Sequence, residues 1–239
     1  MLRNDRALVL SHIKYSENSI IVRVLGRESG PMALMVSGIY GKKSAMRISQ
    51  FQPLNLLDIV YYHKGNRDLQ RLKECRVYPQ LHGIQGNVIK SAIALFCAEA
   101  IAHAGKEGAE DIPLFDRMEM FVLRLEARED AFRMLPHYFL LELSSALGIE
   151  PDANSKGRFF NLLEGAFSNI PLTGGRTLNA DLSARLLELF QNKEEMKPLS
   201  CSAEIQSELL EALVRYIELH LNGFGPLRSI DILHETLSP

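Results

Sequence analysis

The apolar residues of this chain change their spacing near residue 80, and no single type of element accommodates both halves. Before that point they come in short runs, Ala7–Ile13, Ser19–Leu25, Pro31–Val36 and Leu54–Tyr62. Turn residues such as Ser29-Gly30 and Lys64-Gly65-Asn66 separate them. In Leu69–Val77 apolar and charged residues alternate: Leu69, Leu72, Cys75 and Val77 can face a core while Arg71, Lys73 and Arg76 face water. One slip in that alternation calls for a bulge. Five short strands of this kind predict a small barrel or sandwich. Tyr61 and Tyr62 are adjacent in a strand, so at most one packs inward and the other is exposed.

From residue 84 the spacing is helical. Val88, Ala92, Ile93, Phe96, Ala100 and Ile101 make one stripe, and Met118, Phe121, Val122 and Leu125 a second within 116–126. Phe132, Leu135, Phe139, Leu140, Leu143 and Leu147 make a third. Pro136 either kinks that helix or opens a new one, because it has no N–H to donate. Gly148 is a natural stop. Residues 181–191 and 203–221 read as two further helices. Between the third and fourth helical stripes, residues 150–178 are rich in Gly, Pro, Asn and Ser, and Arg158-Phe159-Phe160 and Gly165-Ala166-Phe167 suit a small hairpin. The expected domains are therefore 1–80, all strand, and 81–239, helical with an insertion at 150–178.

Charge follows the same division. Residues 1–80 hold 13 Lys+Arg against 6 Asp+Glu, and residues 81–239 hold 14 against 23. A net of +7 followed by a net of −9 suggests a polyanion-binding module joined to one with a different partner. No run approaches the roughly 18 apolar residues of a membrane span, and the N-terminus has no apolar signal-peptide core. Three widely spaced cysteines, Cys75, Cys97 and Cys201, argue against a disulfide framework and against a cysteine-rich zinc site. A cytoplasmic protein with no membrane partner is expected.

In the basic half, Lys42, Lys43 and Arg47 lie between the third and fourth strands, with Tyr40 just before and Gln50 and Gln52 just after. Cations beside aromatics are what a site for single strands of any sequence needs. Arg23, Arg71, Lys73 and Arg76 can extend the track along the strands, and His63, Lys64 and Arg67 border it in the last hairpin. The competing reading is that these are solvated loop charges. Tyr62, if it is the exposed member of its pair, either stacks on a base or makes a cross-strand aromatic contact.

Three stretches carry a resemblance. The opening strand pair reads ALVLSHIKYSENSIIVRVLGRESG, the basic loop MVSGIYGKKSAMRISQFQPLNLL, and the last helix with its tail RYIELHLNGFGPLRSIDIL. In their order and spacing these resemble the bacterial RecO recombination mediators. The resemblance implies an α+β protein: an N-terminal five-stranded OB-fold barrel followed by a C-terminal α-helical domain. It implies a non-enzymatic protein that binds single-stranded and double-stranded DNA and anneals complementary strands. It also implies that the protein, with RecR, helps load RecA onto strands coated by single-strand-binding protein, and so works in association with the nucleoid. Many relatives carry a four-cysteine zinc module where residues 150–178 lie here. This segment has no cysteine, so no metal and no cofactor are expected.

The resemblance also implies that the acidic-apolar tail of single-strand-binding protein docks on the helical domain. A receptor for such a tail needs an apolar pocket with a cation at its rim, and Arg124, Arg128, Arg133, Arg215 and Arg228 are the cations near apolar stripes. Phe121, Phe132 and Phe139 are expected in the core. Gly223-Phe224-Gly225-Pro226 lacks the Lys-Ser/Thr of a phosphate loop and reads as a helix end, with Arg228 a possible contact to DNA or to the tail. The seven histidines show no metal spacing. A second reading of the chain is an RNA-binding barrel module in translation or RNA processing. A third is a scaffold whose basic half docks an acidic protein.

Overall fold

The computed structural model of the chain describes residues 1–41, 46–65, 67–105, 111–130, 132–172 and 176–237. Five strands, β1 (Leu2–Ser16), β2 (Ser19–Gly26), β3 (Gly30–Ser37), β4 (Leu56–Tyr62) and β5 (Leu69–Val77), form a closed barrel in the order β1-β2-β3-β5-β4. Pairing of β1 with β4 closes it, and the β3–β5 pair is parallel. This is the OB-fold barrel. Ala7, Val9, Ile20, Val22, Val24, Leu34, Val36, Leu57, Ile59, Tyr61 and Leu72 fill its interior, with Phe51 from the β3–β4 loop.

Two departures from simple alternation decide what the barrel shows to solvent. Leu10 is an extra residue between the pairs Val9↔Val24 and Ser11↔Arg23. A bulge of this kind reverses the facing of everything after it. Ala7 and Val9 therefore point inward, while Ser11 and Ile13 point outward. In β5 the expected bulge is present, between the pairs Val60↔Glu74 and Tyr61↔Leu72. There Gln70, not Leu69, takes the buried position. Its amide holds the β4–β5 loop: Oε1 accepts from the Lys64 N–H at 2.8 Å, and Nε2 donates to the carbonyls of Lys64 and Arg67. At the β2–β3 turn the Asp5 carboxylate does the same work, accepting from the N–H groups of Arg6, Glu28 and Ser29. A Cβ on Gly26 would lie 2.7 Å from Asp5 Oδ2, so only glycine lets the carboxylate approach.

The chain forms two compact units, Met1–Ala127 and Arg128–Pro239. The change from strand to helix comes after Val77, but three helices belong with the barrel: α1 (His82–Gly86), α2 (Val88–Ala104) and α3 (Ile112–Ala127). Arg27 makes a two-pronged ion pair with Asp116 of α3, at 2.7 and 3.1 Å, and Arg6 pairs with Glu119. The Glu126 carboxylate accepts from the N–H groups of Gly83 and Ile84, fixing the start of α1.

The second unit contains α4 (Leu135–Ala146), α5 (Ala180–Gln191), α6 (Ala203–His220) and α7 (Ser229–Leu237), with a hairpin of β6 (Phe159–Asn161) and β7 (Ala166–Ser168). Pro136 opens α4 rather than kinking it, and Gly148 ends it at φ +71°. The hairpin packs on its own aromatics, Phe160 against Phe167 at 5.1 Å between ring centroids. Phe121 and Phe139 are buried, whereas Phe132 sits in the turn before α4 and is only half-buried.

Candidate nucleic-acid interface and a second candidate pocket

The barrel's outer surface is read off its register. Ile13 pairs with Ile21, Ile21 with Met35, Met35 with Arg71, and Arg71 with Tyr62. Paired residues share a face, so these five form one continuous row across five strands. The row is wet despite its composition: Ile13 is 62% exposed and Tyr62 41%, with Ile21 and Met35 half-buried between them. The neighbouring row holds Ser11, Arg23, Ala33 and Leu69. Exposed apolar side chains bordered by arginines are an arrangement on which bases stack while phosphates are neutralised.

Arg23 and Arg71 are exposed, with no ion pair described for either. Tyr62 and Arg71 are direct cross-strand neighbours. Of the tyrosine pair, Tyr61 is the inward one and donates or accepts a 2.6 Å hydrogen bond with Ser29 Oγ. Lys64 and Arg67 are exposed in the β4–β5 loop and border an open cleft of about 520 Å3 with Arg3 and His63. Arg47 is exposed at the start of a short 3₁₀ turn, Ile48–Phe51, and its N–H donates to the Gln50 side chain at 2.7 Å. Tyr40 is 47% exposed, with Lys14 Nζ 6.0 Å above its ring. Lys42 and Lys43 lie outside the described residues.

Two expected members of the track stand apart. Lys73 is engaged by its neighbour Glu74 at 2.9 Å, which raises the pKa of the lysine through a side-chain hydrogen bond and charge attraction. Arg76 lies further along β5, on a separate stretch of the outer face where Arg6, Asp58 and Arg76 are cross-strand partners. That stretch borders a cleft of about 650 Å3 with acids and arginines mixed. The sequence reasoning missed Ile13, Ile21 and Met35. The signal was present in the extra apolar residue of the Ala7–Leu10 run, which cannot alternate without a bulge.

The cations proposed for the helical part separate clearly. Arg124 is exposed on α3 and so belongs to the first unit. Arg128 is spent on the carbonyls of Met196 and Asp130. Arg215 pairs with Glu218 at 3.1 Å on the same helix. Arg228 is exposed before α7. Arg133 alone of the five borders a cavity described in the second unit, about 120 Å3 in volume, walled by His137, Ala203, Gln206, Ser207, Leu210, His234 and Leu237. It combines a cation at the rim with an apolar wall.

Burial pushes the Cys75 thiol up to about 11 and holds the Cys97 thiol well above its ordinary value, away from the reactive thiolate. Among the described residues no group of three His, Cys, Asp or Glu side chains is placed to hold a metal ion. No helix described is long and apolar enough to cross a membrane.

Comparison with known proteins agrees with the barrel and the helices. The family described as "Recombination protein O N terminal" matches residues 1–80, and "Recombination protein O C terminal" matches residues 85–229. The chain is 32% identical to the DNA repair protein RecO of Azobacteroides pseudotrichonymphae, covering 98% of each chain. It is 31% identical to that of Bacteroides fragilis, over 98% of this chain and 99% of the relative, and 30% identical to that of Phocaeicola vulgatus over the whole of both.

Proposed function

This chain belongs to the RecO family of DNA repair proteins, and from that premise we propose that it is a non-enzymatic recombination mediator in the cytoplasm, associated with the nucleoid. The barrel binds single-stranded DNA and brings complementary strands together. With RecR it helps load RecA onto strands coated by single-strand-binding protein.

The observation that carries this reading is the outward row Ile13–Ile21–Met35–Arg71–Tyr62 with Arg23 beside it. Bases lie on the apolar side chains, and phosphates meet Arg23, Arg71, Arg47, Lys64 and Arg67. Tyr40 of the β3–β4 loop offers a further ring, and Lys42 and Lys43, which follow it in sequence, add phosphate contacts. None of these groups forms a pattern that reads base edges, so binding is independent of sequence. Annealing follows from screening: cations that neutralise two strands at once remove the repulsion that keeps them apart. Duplex DNA shares the phosphate contacts and lacks the stacking, so it binds more weakly.

The domain organisation that fits is a nucleic-acid-binding barrel over 1–80 and a helical part over 81–239. The helical part docks the acidic-apolar tail of single-strand-binding protein at the Arg133 cavity, where the arginine meets a carboxylate and Leu210 and Leu237 meet an apolar side chain. The test is annealing of complementary oligonucleotides, bare and coated with single-strand-binding protein. Wild type accelerates both. Lys42→Glu with Lys43→Glu abolishes strand binding in a folded protein, and Arg133→Glu loses only the coated reaction. Unchanged oligonucleotide affinity at low salt in the first variant refutes the barrel as the site. A preference for RNA over DNA of equal length would favour an RNA-binding module instead.

A further inference from the structure

The Arg133 cavity holds three groups able to carry positive charge, Arg133, His137 and His234, and among the described residues its walls include no carboxylate. Of the acids on the helices around it, Glu204, Glu208 and Glu211 on α6 and Asp231 and Glu235 on α7 are exposed, Glu142 on α4 and Glu218 on α6 are half-buried, and none lines it. Ser207 Oγ lies 3.2 Å from His234 Nδ1 at its edge.

His137 is 2% exposed, and its Nε2 lies 2.8 Å from the Gln206 carbonyl oxygen. A carbonyl only accepts, so Nε2 carries the ring's proton and Nδ1 is left with a lone pair. Nδ1 has no hydrogen-bond partner. Backbone groups of Met134 and Arg133, one turn earlier, favour the charged form of the ring. The ring is thus surrounded for two protons and holds one. Burial withholds the second, with the charge of His234 adding to the effect, and together they push the pKa down to about 4.

We propose that this cavity binds a carboxylate of an acidic-apolar peptide together with one proton, which passes from solvent to Nδ1 of His137. The inference rests on the reading that the second unit docks such a peptide at Arg133, and adds that docking is coupled to proton uptake. A carboxylate drawn in by Arg133 places an opposite charge beside the imidazole, which favours the charged ring and opposes the two causes that keep it neutral. Nδ1, which has no hydrogen-bond partner in the free cavity, is the nitrogen that takes the second proton. Ligand and proton each raise the affinity for the other by the same factor. Peptide affinity rises as pH falls below neutrality, by up to about tenfold per pH unit. A peptide fits better than inorganic phosphate because Ala203, Leu210 and Leu237 offer apolar walls that phosphate cannot use.

The experiment is calorimetry of the full chain with a synthetic peptide of several aspartates ending in apolar residues and a free carboxylate. Titrations at about pH 6.5 in two buffers of different ionisation enthalpy count the protons taken up. Wild type binds with net uptake approaching one proton, and imidazole nitrogen resonances show Nδ1 of His137 gaining it. His137→Gln keeps an N–H for the Gln206 carbonyl and binds without uptake. Binding that Arg133→Glu abolishes, with zero uptake and an unchanged Nδ1 resonance in wild type, refutes the proton coupling and leaves the docking site standing. No binding at any pH refutes both.

Discussion

Removing Arg23 and Arg71 together is the sharpest test of where DNA lies. Five cations of this face and of its bordering loops are exposed with no acidic partner described: Arg23, Arg47, Lys64, Arg67 and Arg71. Each phosphate neutralised contributes about −0.7 to the slope of log affinity against log salt for a single strand, so these five together with Lys42 and Lys43 give roughly −5. Between 50 and 200 mM salt, a fourfold change, affinity then falls by about three orders of magnitude. Arg23→Ala with Arg71→Ala lowers the slope to about −3.5, and the same change of salt costs only about a hundredfold. Lys73→Ala leaves the slope where it was, because that ammonium is already engaged by Glu74. Fluorescence anisotropy of a labelled oligonucleotide at four salt concentrations measures all three slopes. A double variant with the wild-type slope, or a Lys73 variant that loses as much as the double variant, refutes the assignment of the strand to this face.

Three further outcomes follow from particular side chains. Tyr62→Ala lowers single-strand affinity by about 1–3 kcal/mol and leaves the salt slope unchanged, because the ring stacks and carries no charge; a changed slope refutes the stacking role. His137 is neutral in the folded chain down to about pH 4 and titrates near 6.5 when unfolded. The unfolded state therefore binds more protons across that window, so stability falls as pH drops from about 6.5 to about 4, by about 3 kcal/mol in all. Urea unfolding at both ends of the window shows a smaller fall in His137→Gln, and an equal fall in both proteins refutes it. Gly157→Ala puts a Cβ 2.3 Å from the Ser168 backbone, so it displaces β7 and lowers the melting temperature, whereas Gly86→Ala, whose Cβ meets nothing within 4 Å, does not.

Much of this architecture is legible from residue spacing because it rests on local chemistry. Proline opens α4 for want of an N–H, and glycine ends it by adopting positive φ. The β5 bulge shows as a slip in alternation, and two adjacent tyrosines must part company. What the chain conceals depends on groups that meet only after folding. Leu69 reads as a core residue, but the barrel buries Gln70 instead because that amide satisfies three backbone groups of a loop. Ile13 reads as the end of an apolar strand, yet the Leu10 bulge turns it to water. Arg76 and Arg71 look equivalent in sequence, but Arg71 pairs with Tyr62 in the apolar row while Arg76 lies further along β5, opposite Asp58. The merit of Arg133 over its four rivals was invisible, since its cavity joins residues from three helices about a hundred positions apart.

The two sites also differ in the field around them, and that difference sets how they respond to one another's ligands. Residues 81–239 carry a net charge of −9, so the helical part repels a long polyanion on average while the basic first third attracts it. The Arg133 cavity is a local exception, about 120 Å3 in volume, enough for one side chain. Its selectivity comes from short range, within the roughly 8 Å over which charges act in physiological salt. A short peptide end can place its carboxylate inside that distance while its remaining acids stay in solvent. A DNA strand cannot bring one phosphate there without carrying its neighbours over the exposed Glu204, Glu208 and Glu211 of α6. Saturating the barrel with an oligonucleotide should therefore leave the affinity for an acidic-apolar peptide unchanged within about twofold, a coupling of less than about 0.5 kcal/mol. Calorimetry with the oligonucleotide present measures this, and a tenfold loss of peptide affinity would show that DNA competes for the cavity.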